Sequence, residues 1–165
     1  MNRKTVFGIW LCVLGAMLCS CEKHEVIFDH PFIYITDNST NTTSSAEVDS
    51  EGSFETTYAV ILSSRTLESE LLVNYDLEPG NGLQEGVDYE LLSPKQLVFP
   101  VGLYVNVIHI RWLPRRVDDS VDAGGRPVKD NSVKIVLKSN SMNFTMGYPG
   151  PDKLNSYYTI TKVNM

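Results

Sequence analysis

The feature that most constrains the fold is an alternation of apolar and polar side chains with a period of two residues. Leu71, Val73, Tyr75 and Leu77 share one face of a strand, with Asn74 and Asp76 on the other, and no stretch of the chain keeps an apolar period of 3.6. A period of two is typical of β-strands, because successive side chains point to opposite faces of a sheet. The strands predicted on this basis cover residues 32–35, 54–62, 71–77, 97–101, 103–113, 133–137 and 157–163. Seven short strands separated by turn residues predict an all-β, two-sheet sandwich; a closed barrel is the alternative.

Three segments give more detailed predictions. Residues 103–113 are apolar on both faces, with Val105 on one and Ile108 on the other, which is typical of a central strand covered on both sides. Residues 37–53 are rich in Ser, Thr and Asn and predict a loop or flexible segment. The chain closes with a strand marked by Tyr157, Thr159, Thr161 and Val163.

The N-terminus has the three parts of an export signal. Arg3 and Lys4 precede an uncharged apolar run over residues 6–18, which ends in Leu-Cys-Ser-Cys at 18–21. The run is shorter than the roughly 20 residues of a membrane-spanning helix but suits a signal peptide. The last four residues are those of a lipobox, in which a peptidase cuts before a cysteine that carries diacylglycerol through a thioether. We therefore expect cleavage before Cys21 and lipidation of its sulfur; an ordinary secretory signal is the alternative.

This interpretation divides the chain into a signal peptide (1–20), a lipidated tether (21–30) and a single sandwich domain (31–165). Cys12 and Cys19 would leave with the signal and Cys21 would carry the lipid. No thiol would then remain for a disulfide, a metal site or a nucleophile.

The charge of the chain disfavours nucleic acid as a partner. Removal of Arg3 and Lys4 would leave 12 basic and 20 acidic residues, a formal net charge of −8. Polyanions are repelled by such a surface. The expected partners are the membrane, through the N-terminal lipid, and a polysaccharide or an envelope protein.

Residues 86–110 resemble a known type of β-sandwich. Gly86-Val87-Asp88-Tyr89, then 97–102 (LVFPVG) and 105–110 (VNVIHI), together with Tyr-Thr-Ile-Thr at 158–161, are similar to the Calx-beta family, an immunoglobulin-like antiparallel sandwich. N-terminal domains of Bacteroidetes lipoproteins, often encoded with glycan-uptake systems, have a closely similar pattern. The resemblance implies a lipoprotein of the outer membrane, on its surface or periplasmic face, that assists glycan capture without catalysis. The alternative is a structural or adhesive lipoprotein that contacts protein partners through a sheet edge.

The turn residues of this pattern have physical roles of their own. Gly86 and Gly102 suit turn positions with positive φ, and Asp88 can accept a hydrogen bond from nearby backbone. We expect the ring of Tyr89 to be buried.

Calx-beta domains can bind calcium through clustered carboxylates, so the acidic loop is a candidate metal site. Asp118, Asp119 and Asp122 lie in the loop 115–130, but four basic residues share it, and a solvated loop is the alternative. Within it, Asp119-Ser120-Val121 resembles the acceptor for O-glycosylation of exported Bacteroidetes proteins.

Aromatic residues near predicted strand ends are the candidate ligand site. Trp112 lies two residues before Pro114, and Phe144 and Tyr148 lie in the loop 142–151. Sugar rings pack on aromatic faces, so these three are predicted to bind a glycan or a protein. Alternatively, Trp112 fills the end of the sandwich and the loop folds over the core. The sequence lacks the hydrolase Gly-x-Ser-x-Gly, zinc-peptidase His-Glu-x-x-His, phosphate-loop and dinucleotide-binding motifs. We expect neither catalysis nor a cofactor.

Overall fold

The computed structural model describes residues 30–37 and 44–165. The predicted signal peptide, Cys21 and most of the predicted tether lie outside these residues. Within the described ranges, no helix has the length and apolar character needed to cross a membrane.

The described chain forms ten strands in two five-stranded sheets. The first sheet has the order β5-β7-β3-β1-β9 and the second the order β2-β10-β8-β4-β6. The strands are β1 (Phe32–Asp37), β2 (Ser45–Asp49), β3 (Phe54–Ser63), β4 (Leu71–Pro79), β5 (Tyr89–Leu91), β6 (Gln96–Phe99), β7 (Val105–Trp112), β8 (Ser132–Asn140), β9 (Thr145–Met146) and β10 (Tyr157–Val163). The predicted all-β sandwich is confirmed. All seven predicted strands are present, and β2, β5 and β9 are additional.

The core lies between the sheets and is built from the alternating apolar residues. Leu71, Val73, Tyr75 and Leu77 of β4 are all buried and belong to one cluster with residues of both sheets. Opposite them, β3 contributes a second alternating set that includes Val60. Burial of one face of each sheet against the other is the main stabilising contribution.

Three local predictions were wrong. The polar segment 37–53 contains a strand, β2, which pairs with β10 in parallel. β7 is covered on one face only: Ile108 and Ile110 are buried, whereas Val105 is 46% exposed. Val101, predicted to lie in a strand, is in the turn after β6 and is 55% exposed.

The inward face of β10 is not the one marked by Tyr157, Thr159, Thr161 and Val163. The buried side chains belong to the other set: Tyr158, Ile160 and Lys162 are at most 1% exposed. Lysine is almost never fully buried without a partner, so Lys162 hides the inward face of β10 in the sequence pattern.

The turns that resemble the Calx-beta pattern are formed as expected. Gly86 and Gly102 have φ of 80° and 86°. The Asp88 carboxylate accepts a hydrogen bond from the Gln84 amide at 2.9 Å, and Tyr89 is 1% exposed.

Candidate functional site

Three aromatic rings meet on the outer face of the first sheet. Phe32 and Tyr34 alternate along β1 with the core residues Ile33 and Ile35, so their rings lie on the opposite face. Tyr148 stacks on Tyr34 with centroids 4.7 Å apart and planes at 29°. The Phe32 ring lies 5.7 Å from that of Tyr34 and 5.4 Å from that of Tyr148. We call these three half-buried rings the three-ring surface.

The backbone of the loop 147–156 positions Tyr148 against β1. The Gly147 amide donates to the Ile33 carbonyl at 2.7 Å, and the Tyr148 amide donates to the Leu154 carbonyl at 2.7 Å. Asn155 binds Ile35 twice: its carbonyl accepts from the Ile35 amide, and its side chain donates to the Ile35 carbonyl, both at 2.9 Å. The loop therefore continues the edge of the sheet beyond the two-residue strand β9.

A small hollow adjoins the rings. It has a volume of about 200 Å³ and is lined by residues 148–154, so Tyr148 belongs to both features. Burial, and secondarily the neighbouring Tyr148 hydroxyl, raises the pKa of Tyr34. The Tyr34 hydroxyl therefore stays protonated at neutral pH and can donate a hydrogen bond. An apolar ring face beside polar hydroxyls is the arrangement that sugar recognition requires.

Comparison of the chain with protein-family models and with curated proteins gives no match. The functional assignment therefore depends on the geometry of the site.

The three aromatic residues predicted as a ligand site do not come together. Trp112 is 0% exposed, and its indole Nε1 donates to Thr56 Oγ1 at 2.9 Å. It packs in the core against Tyr89, with ring centroids 6.0 Å apart. Trp112 pairs with Phe54 of β3, and Tyr34 pairs with Ile61 of the same strand. These two positions of β3 are seven residues apart, which is roughly 23 Å along a strand. This placement fits the alternative in which Trp112 fills the sandwich end, because its ring has no exposed face for a ligand.

Phe144 shapes the turn before β9 and is not one of the three rings. Its amide donates to Asn140 Oδ1 at 2.9 Å, and its carbonyl accepts from Asn140 Nδ2 at 2.8 Å. Its half-buried ring packs against the core. Of the three predicted residues, Tyr148 alone contributes to the three-ring surface.

The partners of Tyr148 were missed from the sequence. Phe32 and Tyr34 belong to the apolar run 32–35, which was interpreted as one strand without assigning its faces. Two aromatic residues at positions i and i+2 of a strand share a face, and this spacing is the signal that would have identified them.

The acidic loop is a hairpin in which Asp118 and Asp122 bind backbone amides of the loop and Asp119 binds a side chain outside it. Asp122 Oδ1 accepts from the amides of Gly124 (2.8 Å) and Arg126 (3.0 Å). Asp118 accepts from the Ser120 amide and Asp119 from the Asn164 side chain, both at 3.1 Å. Among the residues described, no three acidic, histidine or cysteine side chains form a group that could hold a metal ion. The three carboxylates are therefore engaged separately, and a calcium site at Asp118, Asp119 and Asp122 stays a prediction.

Hydrogen bonds within the loop stabilise the charged form of two of these carboxylates. Bonds from Ser120 lower the pKa of Asp118, and the amides of Arg126 and Gly124 lower that of Asp122. Ser120 is exposed in the same loop. Its O-glycosylation stays a prediction.

A second, larger groove lies at the other end of the sandwich. Its volume is about 570 Å³, and it runs between the acidic hairpin and the outer face of β10. Its lining combines the charged residues Asp119, Lys129 and Asp130 with Thr159 and Thr161. None of its lining residues is aromatic, so it offers hydrogen bonds but no ring on which a sugar could stack.

Proposed function

We propose that this chain is an exported lipoprotein, anchored through Cys21 in the outer membrane, that binds a glycan without catalysis on the three-ring surface. The single observation that carries the binding role is the convergence of Phe32, Tyr34 and Tyr148 within 5.7 Å of one another beside a hollow. Clustered, rigidly held aromatic rings provide a large contact area at low entropic cost. The resemblance to Bacteroidetes lipoproteins supports the anchor and the link to glycan uptake.

The lining of the hollow favours binding over hydrolysis. Glycoside hydrolysis normally uses two carboxyl groups on either side of the bond that is cut. Asp152 is the one carboxylate among the residues that line the hollow. We therefore propose an accessory role in glycan capture, with no bond broken by this domain.

The test is a glycan array followed by calorimetric titration of each positive polysaccharide. We expect saturable binding that is lost in Tyr148→Ala and Tyr34→Ala. The matched control is Tyr157→Ala, which removes a 47% exposed tyrosine from the other sheet and should leave binding unchanged. Absence of binding by a folded protein, or equal loss in all three variants, would contradict the proposal.

A second candidate function is protein assembly through a sheet edge. β2 is the outermost strand of the second sheet and pairs with β10 on one side. An edge strand can accept a strand from another protein. If no glycan binds, a partner that co-purifies from envelopes and is lost in Glu47→Pro, which removes an edge amide, would favour this alternative.

A further inference from the structure

The turn between β6 and β7, together with the strand ends beside it, exposes four aliphatic side chains. Val98, Val101, Leu103 and Val105 are 41%, 55%, 41% and 46% exposed, all within eight residues. We call residues 98–105 the apolar tip. No charged residue occurs between positions 96 and 108. Isolated exposed aliphatic residues are ordinary on a protein surface, but four within eight uncharged residues concentrate apolar surface at this turn.

The tip is held in place by hydrogen bonds on both sides. The Leu103 amide donates to the Pro100 carbonyl at 3.0 Å, across a turn in which Gly102 has φ of 86°. The Asn106 side chain donates to the Val98 carbonyl at 2.9 Å and so ties the two strands together. Phe99 within the tip is fully buried. The outward direction of the aliphatic side chains is therefore built into the fold.

The tip lies at the end of the sandwich from which the N-terminal segment leaves. Val105, the first residue of β7, pairs with Ile61 near the end of β3. Two residues further along β3, Ser63 pairs with Phe32, the first residue of β1. Eleven residue steps separate Cys21 from Phe32, which span at most about 40 Å when fully extended. A lipid on Cys21 would therefore keep this end of the domain close to the bilayer.

We propose that the apolar tip contacts the lipid surface to which Cys21 is anchored, with Val101 and Leu103 buried among the acyl chains nearest the headgroups. This inference rests on the lipid anchor of the proposed function. Tyr104, half-buried at the base of the tip, has the position of an interfacial aromatic residue. The anchor raises the effective concentration of the tip at the membrane, so a small apolar contact is sufficient. Lipid is favoured over protein because the tip has no charged side chain to specify a protein partner.

The experiment uses the full chain, exported and processed in cells, and inserted into phosphatidylethanolamine–phosphatidylglycerol vesicles. Val101→Cys introduces a thiol that is labelled with NBD, a fluorophore sensitive to polarity. The matched control is Val121→Cys, which labels a 60% exposed valine in the acidic hairpin. We expect a blue shift and quenching by spin-labelled lipid at position 101 and neither effect at position 121. Leu103→Asp should abolish both effects at position 101.

Acylation of Cys21 is measured first, by mass spectrometry of the same preparation. If Cys21 carries acyl chains and NBD at position 101 still reports water, the tip proposal is overturned and the anchor stands. If Cys21 carries none, the anchor is wrong, and the tip proposal that rests on it falls as well. A blue shift in whole envelopes but not in lipid vesicles would assign the tip to a protein partner and overturn the lipid proposal.

Discussion

The Nζ atom of Lys162 lies 3.4 Å from Oδ1 of Asp88, with both side chains buried inside the sandwich. Lys162 also donates to the Leu113 carbonyl at 2.8 Å, and Arg115 donates to the second Asp88 oxygen at 2.8 Å. Lys162 belongs to the second sheet, whereas Asp88 and Leu113 adjoin the strands β5 and β7 of the first. This charge pair therefore joins the two sheets at the end opposite to the apolar tip.

Removing one partner of this pair should be costly. We expect Asp88→Asn to lower the free energy of unfolding by about 3–5 kcal/mol, because it leaves the Lys162 ammonium buried without its counter-charge. Burial already lowers the pKa of Lys162, although the Asp88 carboxylate opposes this shift. Urea unfolding measures the loss, and Asp88→Asn combined with Lys162→Met should regain part of it. A double variant less stable than Asp88→Asn would contradict this account.

Trp112 should behave as a core residue. In the processed chain it would be the only tryptophan, because the other is Trp10. Its emission should be blue-shifted and inaccessible to iodide, since the ring is fully buried. Trp112→Ala should cost about 3–5 kcal/mol of stability through cavity formation. Strong iodide quenching in the folded protein would show that the ring is accessible.

The protein should lose stability between pH 10 and 12 as tyrosines ionise. Burial raises the pKa of Tyr58, and separately that of Tyr89, from 10.0 to about 12. A tyrosine whose pKa is raised in the folded state contributes its full stabilisation below pH 10. This stabilisation is lost as the pH rises through the pKa of the folded state. Thermal unfolding monitored with tyrosinate absorbance measures this loss. Tyr58→Phe should make it smaller; an unchanged pH profile in that variant would contradict the prediction.

Calcium should not stabilise the protein, because Asp118 and Asp122 are bound to separate turn amides and Asp119 is bound to the Asn164 side chain. We expect the same Tm in EDTA and in about 1 mM Ca²⁺, a concentration at which extracellular calcium modules are occupied. A rise of more than about 2 °C that disappears in Asp122→Asn would show that a site forms after all.

The loop that carries Tyr148 should depend on Gly147. This residue has φ of 83°, and an added Cβ would lie 2.4 Å from the Lys153 carbonyl oxygen. Gly147→Ala should therefore cost about 2 kcal/mol and displace Tyr148 from Tyr34. Gly125→Ala is the control, since it has φ of 76° with no atom within 4 Å of the added Cβ. Equal losses in the two variants would exclude a specific role for the contact with Lys153.

The long strands could be predicted from the sequence, because alternation records burial on one face of a sheet. The strands β5 and β9 have three and two residues, too few to show a period, and β2 lies in a segment whose polar composition indicates a loop. All three form where a longer neighbour offers an unpaired edge. The three-ring surface was only partly predicted, because stacking of Tyr148 on Tyr34 joins positions 114 residues apart. Trp112 was placed at a strand end correctly, but its depth depends on packing between the sheets.

The position of β10 has a consequence for how the protein reaches its folded state. The second sheet is complete only when β10 enters between β2 and β8, and β2 then pairs with residues more than 100 positions later in the chain. Contacts this distant form slowly, because a long loop must close before they contribute. Until β10 is in place, the edges of β2 and β8 are open, and unpaired strand edges of this kind are prone to aggregation.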